Sequence, residues 1–204
     1  MIWTIPNILT MGRILAAPCV ALVFVVFERP LADWLAFGLF VGAALTDFLD
    51  GWLARRLGQI SEIGKMLDSI ADKVLVIVAL MVLVAMTSKP GPSLDPLIAI
   101  PAVVIASREV LISGVREFLG DVKLPVTQIA KWKTTVQMLA IGGYLLIGAL
   151  NEHRLMVGGK NPFADIELKM VCLALLLVAT LLTILSGIDY FRKGLAHIRA
   201  REGM

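Results

Sequence analysis

The chain has 204 residues, 58% hydrophobic and only 17% charged, with a mean hydropathy of +0.86, which is more apolar surface than a soluble domain of this size can bury. Its net charge of +3 and pI near 9.0 come without any Lys/Arg-rich tract interleaved with aromatics, which argues against nucleic acid as a partner and for a membrane topology signal. The two cysteines, Cys19 and Cys172, stand alone in apolar runs without metal-ligand spacing, so they read as small buried residues rather than a disulfide framework or thiolate site.

The apolar runs are long and continuous rather than alternating, which selects helices over a transmembrane barrel. A spanning helix needs about 20 mainly apolar residues. Six stretches qualify: roughly 8–27, 31–53, 66–87, 94–118, 131–151 and 168–190. The first is followed by no small-residue cleavage site and is expected to stay in the protein rather than act as a signal peptide. Breakers separate the spans: Glu28-Arg29-Pro30, the Gly58 to Gly64 segment, Lys89-Pro90-Gly91-Pro92, Gly120 through Pro125, and Gly158 through Pro162. The expectation is one all-α, polytopic membrane domain over residues 1–204 with six transmembrane helices. Six spans put both termini and the 2–3 and 4–5 connections on one side. The 19 Lys and Arg residues then divide 14 to 5 in favour of that side, which predicts that it is cytosolic.

The second and third spans carry the chemistry. Between Thr46 and Lys73 runs TDFLDGWLARRLGQISEIGKMLDSIADK, which sets four aspartates where hydrophobic helices begin or end. Acids at membrane depth are costly and mark function by default. At about 100° per residue, Asp47 and Asp50 share one face of helix 2, as do Asp68 and Asp72 of helix 3. The short connection predicts antiparallel neighbours, so the four carboxylates converge. Like charges that close need cations, and hard oxygen ligands favour Mg²⁺, Mn²⁺ or Ca²⁺ over zinc. A two-metal site follows as the expectation, with an acidic transport site as the competing class of reading. Gly51 and Ala54 leave space on roughly the face of Asp47, either for substrate or for close helix packing. Arg55 offers a forked cation suited to phosphate, or, like Arg56, a cytosolic anchor.

Asp47-x-x-Asp50-Gly51-x-x-Ala54-Arg55, eight residues, then Gly64-x-x-x-Asp68-x-x-x-Asp72 resembles in full the signature of the CDP-alcohol phosphatidyltransferase family. The resemblance implies a six-helix enzyme of the cytoplasmic membrane, usually a homodimer, that joins a CDP-activated lipid to an alcohol and releases CMP using two divalent cations, Mg²⁺ or Mn²⁺. It implies that Asp47, Asp50 and Asp68 hold the metals, that Asp72 is the general base and a possible further ligand, and that Gly51, Ala54 and Arg55 contact the CDP portion.

Three further segments resemble the branch of that family whose substrates are CDP-diacylglycerol and sn-glycerol 3-phosphate: Ile5 through Arg13, Ser107-Arg108-Glu109 through Arg116, and Lys131-Trp132-Lys133 through Gln137. An anionic acceptor needs cations near the metals. Arg108 and Arg116 fall within ~80° on one helix face, and Lys131 and Lys133 open the next span on the same side. Together they could clamp a phosphate. The alternatives are interfacial anchoring, or pairing of Arg108 with Glu109. Asn7 and Thr10 could reach the cytidine or cap the first helix. Serine, inositol phosphate or a second phospholipid such as phosphatidylglycerol remain as other acceptors.

Overall fold

The first helix starts where Thr4, in extended conformation (φ −104°, ψ 155°), turns its side chain to accept a bond from the backbone N–H of Asn7 at 3.4 Å. Pro6 follows in the first turn, where its missing N–H costs nothing. In this computed structural model, residues 4–57, 62–87, 94–119, 128–157 and 162–202 are described. Of the predicted breakers, 89–92 and 120–125 lie outside them, as do 58–61 and 158–161, whereas Glu62 to Gly64 and Pro162 already belong to helices. Six helices result: α1 (Ile5–Val26), α2 (Leu31–Leu57), α3 (Glu62–Thr87), α4 (Pro96–Leu119), α5 (Gln128–Val157) and α6 (Pro162–Glu202). No strand occurs among the described residues.

At ~1.5 Å per residue, even the 22 residues of α1 measure about 33 Å, enough to cross a hydrocarbon core of about 30 Å. Five helices, α1 and α3 to α6, are long and apolar enough to cross a membrane. Among the described residues α2 is not one of them; its uncharged stretch between Asp33 and Asp47 covers positions 34–46. Asp33 is buried and paired with Arg29 at 2.9 Å.

The helices close into a ring in the order α1, α2, α5, α6, α4, α3 and back to α1, with α3 also touching α5 across the middle. The expected pairing of α2 with α3 is therefore corrected. These two meet only slightly, and α1 packs extensively against both. The reason lies in α1, whose buried positions Asn7, Thr10, Arg13, Ala17, Val20 and Val23 form one stripe at three- and four-residue spacing. Small residues make its close approach possible: Ala17 on α1, Ala32, Ala36 and Ala43 on α2, Ala71 and Ala79 on α3. Large apolar side chains such as Leu15, Val25, Met81, Val103 and Leu181 point outward, as a surface solvated by lipid rather than water requires. The protein is thus an all-helical integral membrane protein.

Candidate active site

Arg13 stands at the centre of the acidic cluster. Its guanidinium side chain is fully buried and donates to all four aspartates. Nη1 bonds Asp47 and reaches Asp72 at 2.6 Å; Nη2 bonds Asp50 and reaches Asp68 at 3.2 Å. Asp50 is buried and also accepts from the Thr10 hydroxyl at 3.1 Å. The other three carboxylates keep 38 to 47% of their side-chain surface open. Convergence arises because Asp47 and Asp50 sit on the last turns of α2, Asp68 and Asp72 on the first turns of α3, and Arg13 faces both from α1.

One carboxylate oxygen from each of Asp47, Asp50 and Asp68 lies within 4.8 Å of the others. Opposed ligands of an octahedral Mg²⁺ stand about 4.2 Å apart, twice the ~2.1 Å bond, so this donor set fits a hard divalent cation. Charge points the same way. Fully ionised, the four aspartates carry −4 and Arg13 returns +1, leaving −3 for cations to neutralise.

Asp72 also borders a polar cavity of about 280 Å³ lined from α3, α4, α5 and α6. Its cations are Lys73, Arg108, Arg116, Lys133 and Lys193. Glu109 ties two of them, accepting from Lys133 and lying 3.6 Å from Arg108 Nη1. Arg108 Nη2 donates to Ser186 at 3.2 Å, while its Nε is buried without a partner. The Arg116 guanidinium stacks over Tyr190, 5.7 Å from the ring centroid. A second cavity, about 650 Å³ and mostly apolar, runs between α2 and α5 past Phe37, Phe40, Leu45 and Leu146 and ends at Asp47. Thr134 and Met138 of α5 border both cavities.

The structure therefore brings together the four predicted aspartates, and it gathers Arg108, Arg116 and Lys133 around a cavity shared with Asp72. Thr4, not Asn7 or Thr10, caps α1; those two residues lie inside the helix, buried. Gly51, Ala54, Arg55 and Lys131 fall in α2 and α5, but their side chains lie outside the described residues. Sequence reasoning missed Arg13 as a partner of the aspartates. It also missed Gln137 and the α6 residues Ser186, Asp189, Tyr190 and Lys193, all of which line the polar cavity. A signal was present: α6 buries positions 172, 176, 179, 183 and 186 at intervals of four and three, and 190 and 193 continue that series.

A family model for CDP-alcohol phosphatidyltransferases matches residues 3–188. A relative from Cereibacter sphaeroides, named CDP-diacylglycerol–glycerol-3-phosphate 3-phosphatidyltransferase, is 42% identical over 98% of this chain and 99% of its own length. One of the same name from Rickettsia bellii is 38% identical over 92% of this chain and 93% of its own. A cardiolipin synthase (CMP-forming) from Oryza sativa subsp. japonica is 33% identical over 93% of this chain and 57% of its own.

Proposed function

This chain belongs to the CDP-alcohol phosphatidyltransferase family, and from that premise we propose that it moves a phosphatidyl group from CDP-diacylglycerol to sn-glycerol 3-phosphate and releases CMP, as a phosphatidylglycerophosphate synthase. The observation that carries this reading is the junction of two unlike cavities at Thr134 and Met138, one apolar and reaching Asp47, the other polar and reaching Asp72. Joining a lipid to a water-soluble alcohol calls for that pair of approaches to one acidic centre. At about 280 Å³ the polar cavity lies at the small end of ligand pockets, ~300 to 1,000 Å³, which favours a small acceptor over a second phospholipid. Its arginines and lysines favour a phosphate over the zwitterion of serine. The names of the Cereibacter and Rickettsia relatives agree, whereas the rice relative's name points to the alternative.

In this reading Asp47, Asp50 and Asp68 hold two divalent cations, Mg²⁺ or Mn²⁺, with Asp72 as a further ligand and as the base. Bound there, the cations would act as Lewis acids on the pyrophosphate of the CDP-lipid. Asp72 takes the proton of the acceptor's hydroxyl. The freed oxygen then bonds to the lipid-side phosphorus as that phosphorus loses its bond to CMP, which departs with the electron pair. Arg108, Arg116, Lys131 and Lys133 hold the acceptor's phosphate. Asn7, Thr10, Gly51, Ala54 and Arg55 take the CDP portion. All six helices span, as one catalytic domain over 1–204 in the cytoplasmic membrane, with the termini and the site facing the cytosol and the chain working as a homodimer. The ion pair of Asp33 with Arg29 supports α2 as the sixth span, since it compensates the acid at that end.

The test is an acceptor screen with purified protein and radiolabelled CDP-diacylglycerol in detergent micelles. Glycerol 3-phosphate is expected to give labelled lipid product and CMP, and EDTA to stop both. Efficient use of serine, inositol phosphate or phosphatidylglycerol in its place would replace the acceptor assignment.

A further inference from the structure

Helix α5 buries one continuous face: Lys133, Gln137, Ala140, Ile141, Tyr144 and Leu145. Four of these are explained, the aliphatics by the core they join and Lys133 by its bond to Glu109; Tyr144 packs its ring in that core and buries its hydroxyl without a partner, away from the polar cavity. Gln137 is not so explained. It is only 2% exposed, it lines the polar cavity, and its Oε1 is buried without any hydrogen-bond partner. An apolar residue of the same length would fill that position without the cost of an unmade bond.

The cavity's chemistry says what that oxygen is for. Cations can only donate, so they serve a phosphate but cannot accept from a hydroxyl. Among the acceptors lining the cavity, one oxygen of Glu109 accepts from Lys133, one of Asp189 from Lys193 at 2.7 Å, the Ser69 hydroxyl from Lys73 at 2.7 Å and the Tyr190 hydroxyl from Arg116 at 3.5 Å. Ser186 accepts from Arg108 and donates to the Thr183 carbonyl. Asp72 is committed to the hydroxyl that reacts. Glycerol 3-phosphate brings a second hydroxyl, on its middle carbon, and Gln137 Oε1 is the buried acceptor with no partner in the same cavity.

Resting on the acceptor reading above, we infer that Gln137 is a specificity-determining residue, its side-chain amide accepting a hydrogen bond from the acceptor's non-reacting hydroxyl. An alcohol lacking that hydroxyl leaves the buried amide oxygen unpaired. Sites built to pair a hydroxyl discriminate strongly for that reason.

The experiment compares sn-glycerol 3-phosphate with 3-hydroxypropyl phosphate, which keeps the phosphate and a primary hydroxyl but lacks the middle one. The parent enzyme, in micelles with CDP-diacylglycerol and Mn²⁺, is expected to prefer glycerol 3-phosphate by roughly ten- to a hundredfold in kcat/KM. Gln137→Met, similar in length and without the amide, is expected to bring the ratio within about threefold, chiefly by loss of activity with glycerol 3-phosphate. The KM for CDP-diacylglycerol should hold. Gln137→Asn, which withdraws the amide by one methylene, is expected to lower the ratio as well, and it answers the question should the methionine variant fail to insert. A variant that keeps the parental ratio, or loses both acceptors equally, overturns the inference while leaving the acceptor assignment intact. A parent enzyme that ignores glycerol 3-phosphate overturns the assignment and this inference together.

Discussion

Arg13 and the four aspartates differ in how far they could be read from the chain. The aspartates announce themselves, because two carboxylate pairs at three- and four-residue spacing inside apolar runs have no other economical explanation. Arg13 carries no such mark. Its partners lie 34 to 59 positions away, and no local spacing reports which face of α1 meets α2 and α3. The two groups predict separable phenotypes. Asp47→Asn, Asp50→Asn and Asp68→Asn are each expected to abolish CMP release, since each removes an anionic ligand from a cation that prefers carboxylate oxygen; near-normal, chelator-resistant turnover in any of them would remove the metal assignment. Asp72→Asn should still bind CDP-diacylglycerol but lose the chemical step, because an amide cannot take the proton. Collapse of lipid binding in parallel with rate would make Asp72 chiefly a ligand. Arg13→Gln is expected to lower the thermal midpoint most in EDTA, where no cation relieves the carboxylates. Removing one partner of a buried ion pair costs ~3 to 5 kcal/mol, and the solvent open to Asp47, Asp68 and Asp72 reduces this to about 1 to 3. An EDTA midpoint equal to that of the parent protein would refute it.

At the scale of the element, the apolar runs located all six helices but not their ends. Helix α6 runs from Pro162 to Glu202, well past the stretch 168–190 that hydropathy marks. Its buried series turns polar at Thr183 and Ser186 without changing interval, inside the apolar stretch, so hydropathy alone does not mark where the helix starts to build the site. Helix α5 does the reverse, opening polar at Lys133 and Gln137 and becoming apolar from Ala140. The cavity forms where these polar ends lie side by side. If Arg116 and Lys133 grip the acceptor's phosphate there, each makes charge-assisted bonds worth ~1.5 to 3 kcal/mol. Arg116→Ala and Lys133→Ala are therefore expected to raise the KM for glycerol 3-phosphate roughly ten- to a hundredfold, with the KM for CDP-diacylglycerol little changed. Steady-state kinetics varying each substrate in turn would separate the outcomes. An equal rise in both constants would indicate damaged packing and refute the clamp.

For the molecule as a whole, the alternation of helix direction explains why so dispersed a set of residues forms one site. Arg13, Asp68, Asp72, Lys133 and Gln137 lie early in α1, α3 and α5, while Asp47, Asp50, Arg108, Arg116, Ser186 and Lys193 lie late in α2, α4 and α6. When successive helices in the chain run alternately up and down, early halves of odd helices and late halves of even ones share one end. Arg29, between α1 and α2, and Asp33, in the first turn of α2, belong to the other end. The charge count predicts that the site end faces the cytosol, and that prediction depends on α2 crossing. Glu28 and Arg56 are exposed and have only α2 between them, so they test that helix and the orientation together. In a background with Cys19 and Cys172 replaced by alanine, Glu28→Cys is expected to react with a membrane-impermeant maleimide on intact cells. Arg56→Cys should react only after permeabilisation. Reaction of both from the same side would mean that α2 does not span, leaving the site without the membrane depth that makes its acids costly. The reversed pattern would keep six spans and turn the active site outward, away from the side to which the basic residues assign it.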